Sequence, residues 1–408
     1  VTPVAGDGTG ALPPLVSPVP SLTAEERARY SRHLLLEAVG DEGQRRLRAA
    51  SVFVVGAGGL GAPVLMYLAA AGVGRITVID DDEVDQGNLH RQVIHSVPAI
   101  GRPKVESARE RLAELAPGVR VEAVHARLDA LNIDALLEGH HLVVDGSDNF
   151  STRYLVSDAC EIAGIPVVWG TIDRFRAQLA VFWSRPPTPA DPVTLRDLYP
   201  APPPPGSVPS CAEAGVVGAL CGTVGSMMAM EAVKLITGSG RPLLGRLVLM
   251  DLLETTHRTV TIRPDPSRTP VTCLPDGGVE SCEVRSPDAQ DVPTVSATAL
   301  AAELAGAGSS GAVAPVLVDV RGAGERSIAA IDPSVWVPLD TVAEVASDPT
   351  GALGRAAARG PLVVYCKSGV RSARAAATLT GAGFAGVRSL EGGIEAWTRD
   401  VDPSLPGY

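Results

Sequence analysis

Ser51-Val-Phe-Val-Val-Gly-Ala-Gly-Gly-Leu-Gly61 is the stretch on which the fold turns. A short run with no charge enters a cluster of glycines, and a helical run, Val64–Ala71, follows at once. Strand, glycine turn and helix in that order let a phosphate approach bare backbone at a helix N-terminus. Gly56, Gly58, Gly59 and Gly61 are the glycines that permit it. The next apolar run, Arg75–Ile79, ends at Asp80, where a carboxylate can grip ribose hydroxyls.

Reading outward, Leu142–Asp145 and Ile165–Trp169 are expected as further strands, with an antiparallel extension in Gln178–Trp183 and Arg246–Asp251. Strands alternating with helical segments predict an α/β fold, a doubly wound and mostly parallel Rossmann-like sheet. Thr23-Ala-Glu-Glu26 has the form of a capping box and predicts a helix carrying Tyr30, Arg32 and His33. Residues 1–22 are Pro/Gly-rich without periodicity and are expected to be a disordered tail. The first domain then covers 23–265, with a Pro-rich surface loop from Pro186 to Pro209 that excludes regular structure. Residues 266–293 read as a linker, and 294–408 as a smaller α/β domain. In that domain Thr294–Ala305 and Arg371–Leu379 are expected as helices, and Pro315–Val320 and Pro361–Tyr365 as strands.

The formal net charge of −11 over 408 residues provides no basic field to recruit nucleic acid or an anionic membrane. The uncharged run from Ala214 to Met230 is short for a span and rich in glycine, so it reads as a buried loop and helix. The six cysteines form no C-x-x-C pair and no disulfide framework. No charged-then-apolar leader pattern opens the chain, which is expected to be cytoplasmic.

The glycine turn and Asp80 alone would suit an NAD-dependent oxidoreductase. Three later features change the expectation. Asn88-Leu-His-Arg-Gln92 places Asn88 and Arg91 just beyond the ribose carboxylate. Gly101-Arg-Pro-Lys104 brings a lysine to a helix start, and Asp145-Gly-Ser-Asp-Asn149 brings acids to the end of a later strand. Hydride transfer has no use for an arginine, a lysine and a further acid around the phosphates. Splitting a triphosphate does, because charge grows on the leaving pyrophosphate and Mg²⁺ needs a carboxylate. A non-catalytic scaffold is the remaining alternative, and the same three charged residues argue against it.

Together with Ser210-Cys-Ala-Glu-Ala-Gly215, these motifs resemble the MoeB/ThiF adenylyltransferases, relatives of ubiquitin-activating enzymes, over roughly residues 23–265. The resemblance implies ATP-dependent adenylation of the C-terminal Gly-Gly carboxylate of a ubiquitin-like sulfur-carrier protein. It places Asp80 on the ribose, Arg91 and Lys104 on the phosphates, Asp148 on Mg²⁺ and Asn88 in the pocket. It also implies a homodimer, with Arg32 reaching the partner's ATP site, and it makes Cys211 a candidate acceptor for the carrier or for sulfur. Cys160 and Cys221, on apolar helical stretches, are expected in the core. Two departures stand out. Thr194-Leu-Arg-Asp197 lies where many members carry the first zinc-binding cysteine pair, and only Cys273 remains near the second, so no zinc site is expected. Arg176-Ala-Gln178 replaces a smaller or acidic pair before the glutamine on the carrier-facing surface.

In the last domain, Tyr365-Cys-Lys-Ser-Gly-Val-Arg-Ser372 lies between a strand and a helix. Inward N–H groups and a helix N-terminus favour a thiolate at Cys366, with Lys367 and Arg371 adding positive charge. Cys366 to Arg371 is C-x₄-R, one residue shorter than the phosphatase ring, and suits a terminal sulfur better than a phosphate. With Asp319-Val-Arg321 and Leu390-Glu-Gly-Gly-Ile-Glu-Ala-Trp397, the stretch 294–408 resembles rhodanese sulfurtransferases. Ala330-Ile331-Asp332 departs from their Gly-His-Ile segment. The combined order resembles the MoeZ-type two-domain proteins. It implies a Cys366 persulfide, charged from thiosulfate or a cysteine desulfurase, that converts the carrier adenylate to a thiocarboxylate.

Overall fold

A computed structural model describes residues 12–187, 189–203, 215–274, 292–306, 313–348 and 350–407. They fold as two compact units, one containing the described residues up to 274 and the other those from 292 onward.

The first unit is an eight-stranded sheet in the order β3-β2-β1-β4-β5-β6-β7-β8. Its strands are β1 (Ser51–Val55), β2 (Arg75–Ile79), β3 (Arg120–Val124), β4 (Leu142–Asp145), β5 (Val167–Asp173), β6 (Arg176–Phe182), β7 (Arg246–Asp251) and β8 (Thr256–Thr261). Pairs from β3 across to β5 are parallel and those from β5 to β8 antiparallel, as the sequence predicts for β6 and β7. β1 is buried on both faces: Val52 and Val54 enter one core, Phe53 and Val55 the other. That double burial explains why it reads as an unbroken apolar run rather than an alternation. The order reverses between β1 and β4, so the crevice for a ligand opens beyond their carboxyl ends.

Several expectations shift. β5 starts two residues late, because Gly164 ends the preceding helix at φ +74° and Pro166 follows before the strand can pair. β3 and β8 carry too little apolar pattern to be seen; β8 is exposed along its whole length. The Thr23 capping box forms, but its helix stops at Arg29, and Tyr30 joins it to a separate turn, Ser31–Leu34. The Pro-rich loop contains one helical turn, Leu195–Leu198, which Thr194 and Asp197 cap. Residues 12–22 form no regular element, yet they are packed rather than disordered. Leu12 and Val16 are buried, and Leu15 N–H donates to Leu235 O at 3.1 Å.

The helix Gly218–Thr237 is long and apolar enough to cross a membrane by composition. Here it is a core helix: Cys221, Val224, Met228 and Ala232 are fully enclosed. Close approach explains two of its glycines, since a Cβ on Gly225 would meet Pro63 Cγ at 2.3 Å and one on Gly218 would meet His90 O at 2.3 Å. Cys160 and Cys221 lie in the core as expected.

The second unit is a parallel sheet in the order β11-β10-β12-β13-β9. Its strands are β9 (Thr294–Val295), β10 (Val316–Asp319), β11 (Ser334–Trp336), β12 (Leu362–Tyr365) and β13 (Arg388–Leu390). β12 again divides its residues, Leu362 and Val364 to one core, Val363 and Tyr365 to the other. The helix expected from Thr294 begins only at Ala297, because the β-branched pair Thr294-Val295 joins the sheet first. Ala330-Ile331-Asp332 still forms an ordered crossing: Ile331 is buried and its N–H donates to the Tyr365 hydroxyl at 3.2 Å.

Candidate active sites

A cleft opens at the ends of β1, β2 and β4. Gly56, Gly58, Gly59, Asp80, Arg91, Lys104 and Asp148 all line it. Gly61 acts one layer below: a Cβ there would lie 1.8 Å from Gly56 O, so only glycine lets the loop fold back on its own helix. Gly56 itself sits at φ +90°, open to glycine at no steric cost.

Asp80 faces the glycine loop. Its Oδ2 accepts from Ala57 N–H at 2.8 Å and its Oδ1 from Asp82 N–H at 2.9 Å. Burial pushes the Asp80 carboxyl above its ordinary range, against the pull of Lys104 and those two N–H groups. Lys104 opens the helix Lys104–Leu115, and its Nζ donates to Asp82 Oδ2 at 2.6 Å. Arg91 donates to Gly87 O at 2.9 Å.

The two acids after β4 divide sharply. Asp145 is buried and accepts both the N–H and the hydroxyl of Ser147, at 3.0 and 2.6 Å. Burial raises its carboxyl, which suits a structural role. Asp148 is exposed at the cleft, and its carboxylate makes no hydrogen bond among the described residues, so it is free to hold a cation. Asn149 caps the helix Phe150–Ala163.

Asn88 and Arg32 do not line the cleft. Asn88 lies in a short 3₁₀ turn and its backbone C=O accepts from Arg91 and Gln92 N–H, while Arg32 is exposed on the turn Ser31–Leu34. Cys211 and its neighbours from 204 to 214 lie outside the described residues. Sequence reading missed Arg153 and Gln92, both buried and both lining the cleft. Arg153 was within reach, since it follows the Asn149 cap by one turn and donates to Ser147 O at 3.1 Å. Gln92 gave no signal beyond standing next to Arg91.

Where the zinc ligands of the resembled family would stand, the chain has a charge cluster instead. Arg268 donates to both oxygens of Glu161, at 2.9 and 3.0 Å, and to Asp197 Oδ1 at 3.3 Å. Asp197 Oδ1 also accepts from Asp265 N–H, and Glu161 from Val271 N–H. A guanidinium at the centre of the cluster does not fit a metal cation. These bonds tie residues 265–271 to the first unit, although 266–271 are expected from the sequence to begin the linker; 275–291 lie outside the described residues.

In the second unit Cys366 follows β12 and is buried beneath its loop. Gly369 N–H donates to its Sγ at 3.1 Å, and the buried Ser372 hydroxyl lies 3.5 Å from the same sulfur. Gly369 holds φ +98° and hands over to the helix Val370–Gly381, whose N-terminus therefore faces the loop. Arg371 forms a two-point pair with Glu325, at 2.8 and 2.7 Å, which fixes the last side chain of the ring. The Gly392-Gly393 turn braces the loop from behind. Ile394 N–H donates to Cys366 O and Glu395 N–H to Lys367 O, and a Cβ on Gly393 would fall 2.3 Å from Lys367 O. Beneath lies Arg321, fully buried and paired with both oxygens of buried Asp319 at 2.8 and 2.7 Å.

The ThiF family profile matches residues 30–273, and a rhodanese-like domain profile matches 300–400. The chain is 47% identical over 404 residues to a probable adenylyltransferase/sulfurtransferase MoeZ of Mycobacterium tuberculosis, covering 98% of this chain and 99% of that one. It is 53% identical over 251 residues to a sulfur carrier protein adenylyltransferase of Thermus thermophilus, covering 61% of this chain and 92% of the relative. A crystal structure of E. coli MccB with MccA-N7isoASN shares the fold of the first unit, with a TM-score of 0.53 at 20% identity, covering 60% of this chain and 75% of that one. The chain belongs to the ThiF family, its MoeB-like adenylation domain followed by a rhodanese-like domain.

Proposed function

We propose that the first unit adenylates the C-terminal Gly-Gly carboxylate of a ubiquitin-like sulfur-carrier protein, and that Cys366 of the second supplies the sulfur. The observation that carries this is one cleft in which a bare glycine turn faces Asp80, Arg91, Lys104 and Asp148. The carrier carboxylate attacks the α-phosphorus of ATP and pyrophosphate leaves, giving an acyl-adenylate. Arg91 and Lys104 meet the charge that grows on the leaving group, where fixed donors help most. Asp80 receives the ribose, and Asp148 would hold Mg²⁺, which supplies charge neutralisation on the phosphates when bound.

Cys366 takes a sulfane sulfur from thiosulfate, releasing sulfite, or from a desulfurase persulfide. The terminal sulfur attacks the acyl carbon and AMP leaves, giving an acyl disulfide on Cys366. A thiolate then attacks Cys366 Sγ, freeing the carrier thiocarboxylate and leaving a disulfide for cellular thiols to reduce. Cys211 is the candidate for that thiolate. Arg32, exposed and outside its own cleft, is assigned to the cleft of a second copy in a homodimer. Hydride transfer to a nicotinamide has no use for this set of charges.

The test is to incubate the protein with Mg-ATP, thiosulfate and a Gly-Gly-ended carrier and weigh the intact carrier. Exchange of one oxygen for sulfur, lost in Cys366→Ala, is the expected result. A carrier left unchanged or only adenylated across several carriers and donors sinks the sulfur-transfer reading.

A further inference from the structure

His95 is buried between the cleft and the helix that carries Lys104. Its Nε2 lies 3.0 Å from Ala57 O and its Nδ1 3.0 Å from Ser107 Oγ. A carbonyl oxygen can only accept, so Nε2 carries a proton and donates it. In the neutral ring Nδ1 is then an acceptor, and the Ser107 hydroxyl donates to it. Burial, with Lys104 adding to it, lowers the His95 pKa and keeps the ring neutral near pH 7.

These bonds close a circuit. Ala57 N–H donates to Asp80 Oδ2, and Asp82 N–H donates to Asp80 Oδ1. Lys104 returns to Asp82 twice, from its backbone N–H to Asp82 O at 2.9 Å and from Nζ to Oδ2 at 2.6 Å. Ser107 stands one turn beyond Lys104 on the same helix. The two peptide groups that flank the Ala57 Cα are thus both held, the first by its N–H on Asp80 and the second by its C=O on His95.

We propose that His95 is a positioning residue for the nucleotide: it fixes the Ala57 peptide, and through it the register of the glycine turn, Asp80 and Lys104 to one another. The proposal rests on the adenylation reading of this cleft. Without His95 the Ala57 carbonyl loses its partner and the turn is free to rotate away from the conformation a phosphate needs. His95 does not face the ligand, so its effect is on how tightly ATP is held.

The test is Mg-ATP binding by the full chain, measured by calorimetry, with sulfur transfer from thiosulfate to cyanide as a check that the other unit is intact. His95→Ala is expected to weaken Mg-ATP binding about tenfold, the size of one buried hydrogen bond. His95→Gln, whose side-chain N–H can reach the same carbonyl, is expected to restore most of it. Should His95→Ala not fold, Ser107→Ala removes only the hydroxyl and is expected to weaken binding roughly threefold. Unchanged binding in His95→Ala, or in Ser107→Ala where that variant stands in, overturns the assignment. So does an equal loss in His95→Ala and His95→Gln. Failure of the unaltered chain to bind Mg-ATP overturns the adenylation reading itself, and is told apart by needing no variant.

Discussion

Lys104 Nζ lies 2.6 Å from Asp82 Oδ2, the lysine buried and the aspartate mostly in solvent. The pair sets a cation at the cleft against a carboxylate that lies mostly in water. In the proposed adenylation an incoming phosphate takes over from this carboxylate, so the buried ammonium keeps an anionic partner throughout.

Lys104→Ala is expected to lower kcat/KM for carrier adenylation by about 100-fold or more, as loss of a donor to developing charge does elsewhere. Pyrophosphate exchange against carrier concentration reads it. Thiosulfate-to-cyanide sulfur transfer should not change, and a parallel loss of both activities would count against the division of labour.

Cys366→Ala is expected to abolish sulfur transfer from thiosulfate while pyrophosphate exchange continues at the unaltered rate. Mass spectrometry of the carrier should then find the adenylate or its hydrolysis product and no thiocarboxylate.

Glu325 and Arg371 give a pH signature. Burial, the largest single influence, pushes the Glu325 carboxyl up, but the hydrogen bonds and charge of Arg371, with the Gly322 N–H and the Arg321 charge, together outweigh it and hold the group below its ordinary range. A lowered folded-state value contributes stability that is present above the unfolded value, about 4.3, and is lost as pH falls through the folded one. Glu325→Gln should therefore destabilise the second unit by on the order of 2 kcal/mol at pH 7. Urea unfolding should show that difference shrinking below about pH 4.

Arg268→Met strands Glu161 and Asp197, both nearly enclosed, without their cation. The first unit is expected to lose about 3 kcal/mol or more, because a lone buried carboxylate keeps its desolvation penalty. Chelator treatment of the unaltered protein is expected to leave its unfolding transition where it was. A chelator-induced drop would show that a metal, not Arg268, ties the segment down.

Gly393→Ala places a methyl 2.3 Å from Lys367 O and 2.6 Å from Cys366 O. Backbone cannot yield to that without moving the sulfur loop. Sulfur transfer should fall by about tenfold or more, with adenylation unaffected.

Much of this was legible in sequence because the informative elements are buried on both faces or pinned by glycine. β1, β2 and β4 announce themselves as apolar runs, and the strand–turn–helix around Gly56 fixes where the cleft opens. The charged lining, Asp80, Arg91, Lys104 and Asp148, was found because each stands shortly after a strand or opens a helix. What escaped has no local signal. β8 lies wholly in solvent, and β9 and β13 are two and three residues long. Arg268 meets Glu161 across 107 residues of chain, far beyond any local pattern. His95 acts by touching a backbone carbonyl, which no pattern of residue types records.

β9 has a further consequence. It is only Thr294–Val295, it forms the outer margin of its sheet, and it is the first strand of its unit. A chain cut just after it would leave β13 with a naked row of amide and carbonyl groups, ready to accept a strand from another molecule. Those two residues act as a selvedge: they cover β13 and leave the sheet an open margin only two residues long, too short to seat a strand from another molecule.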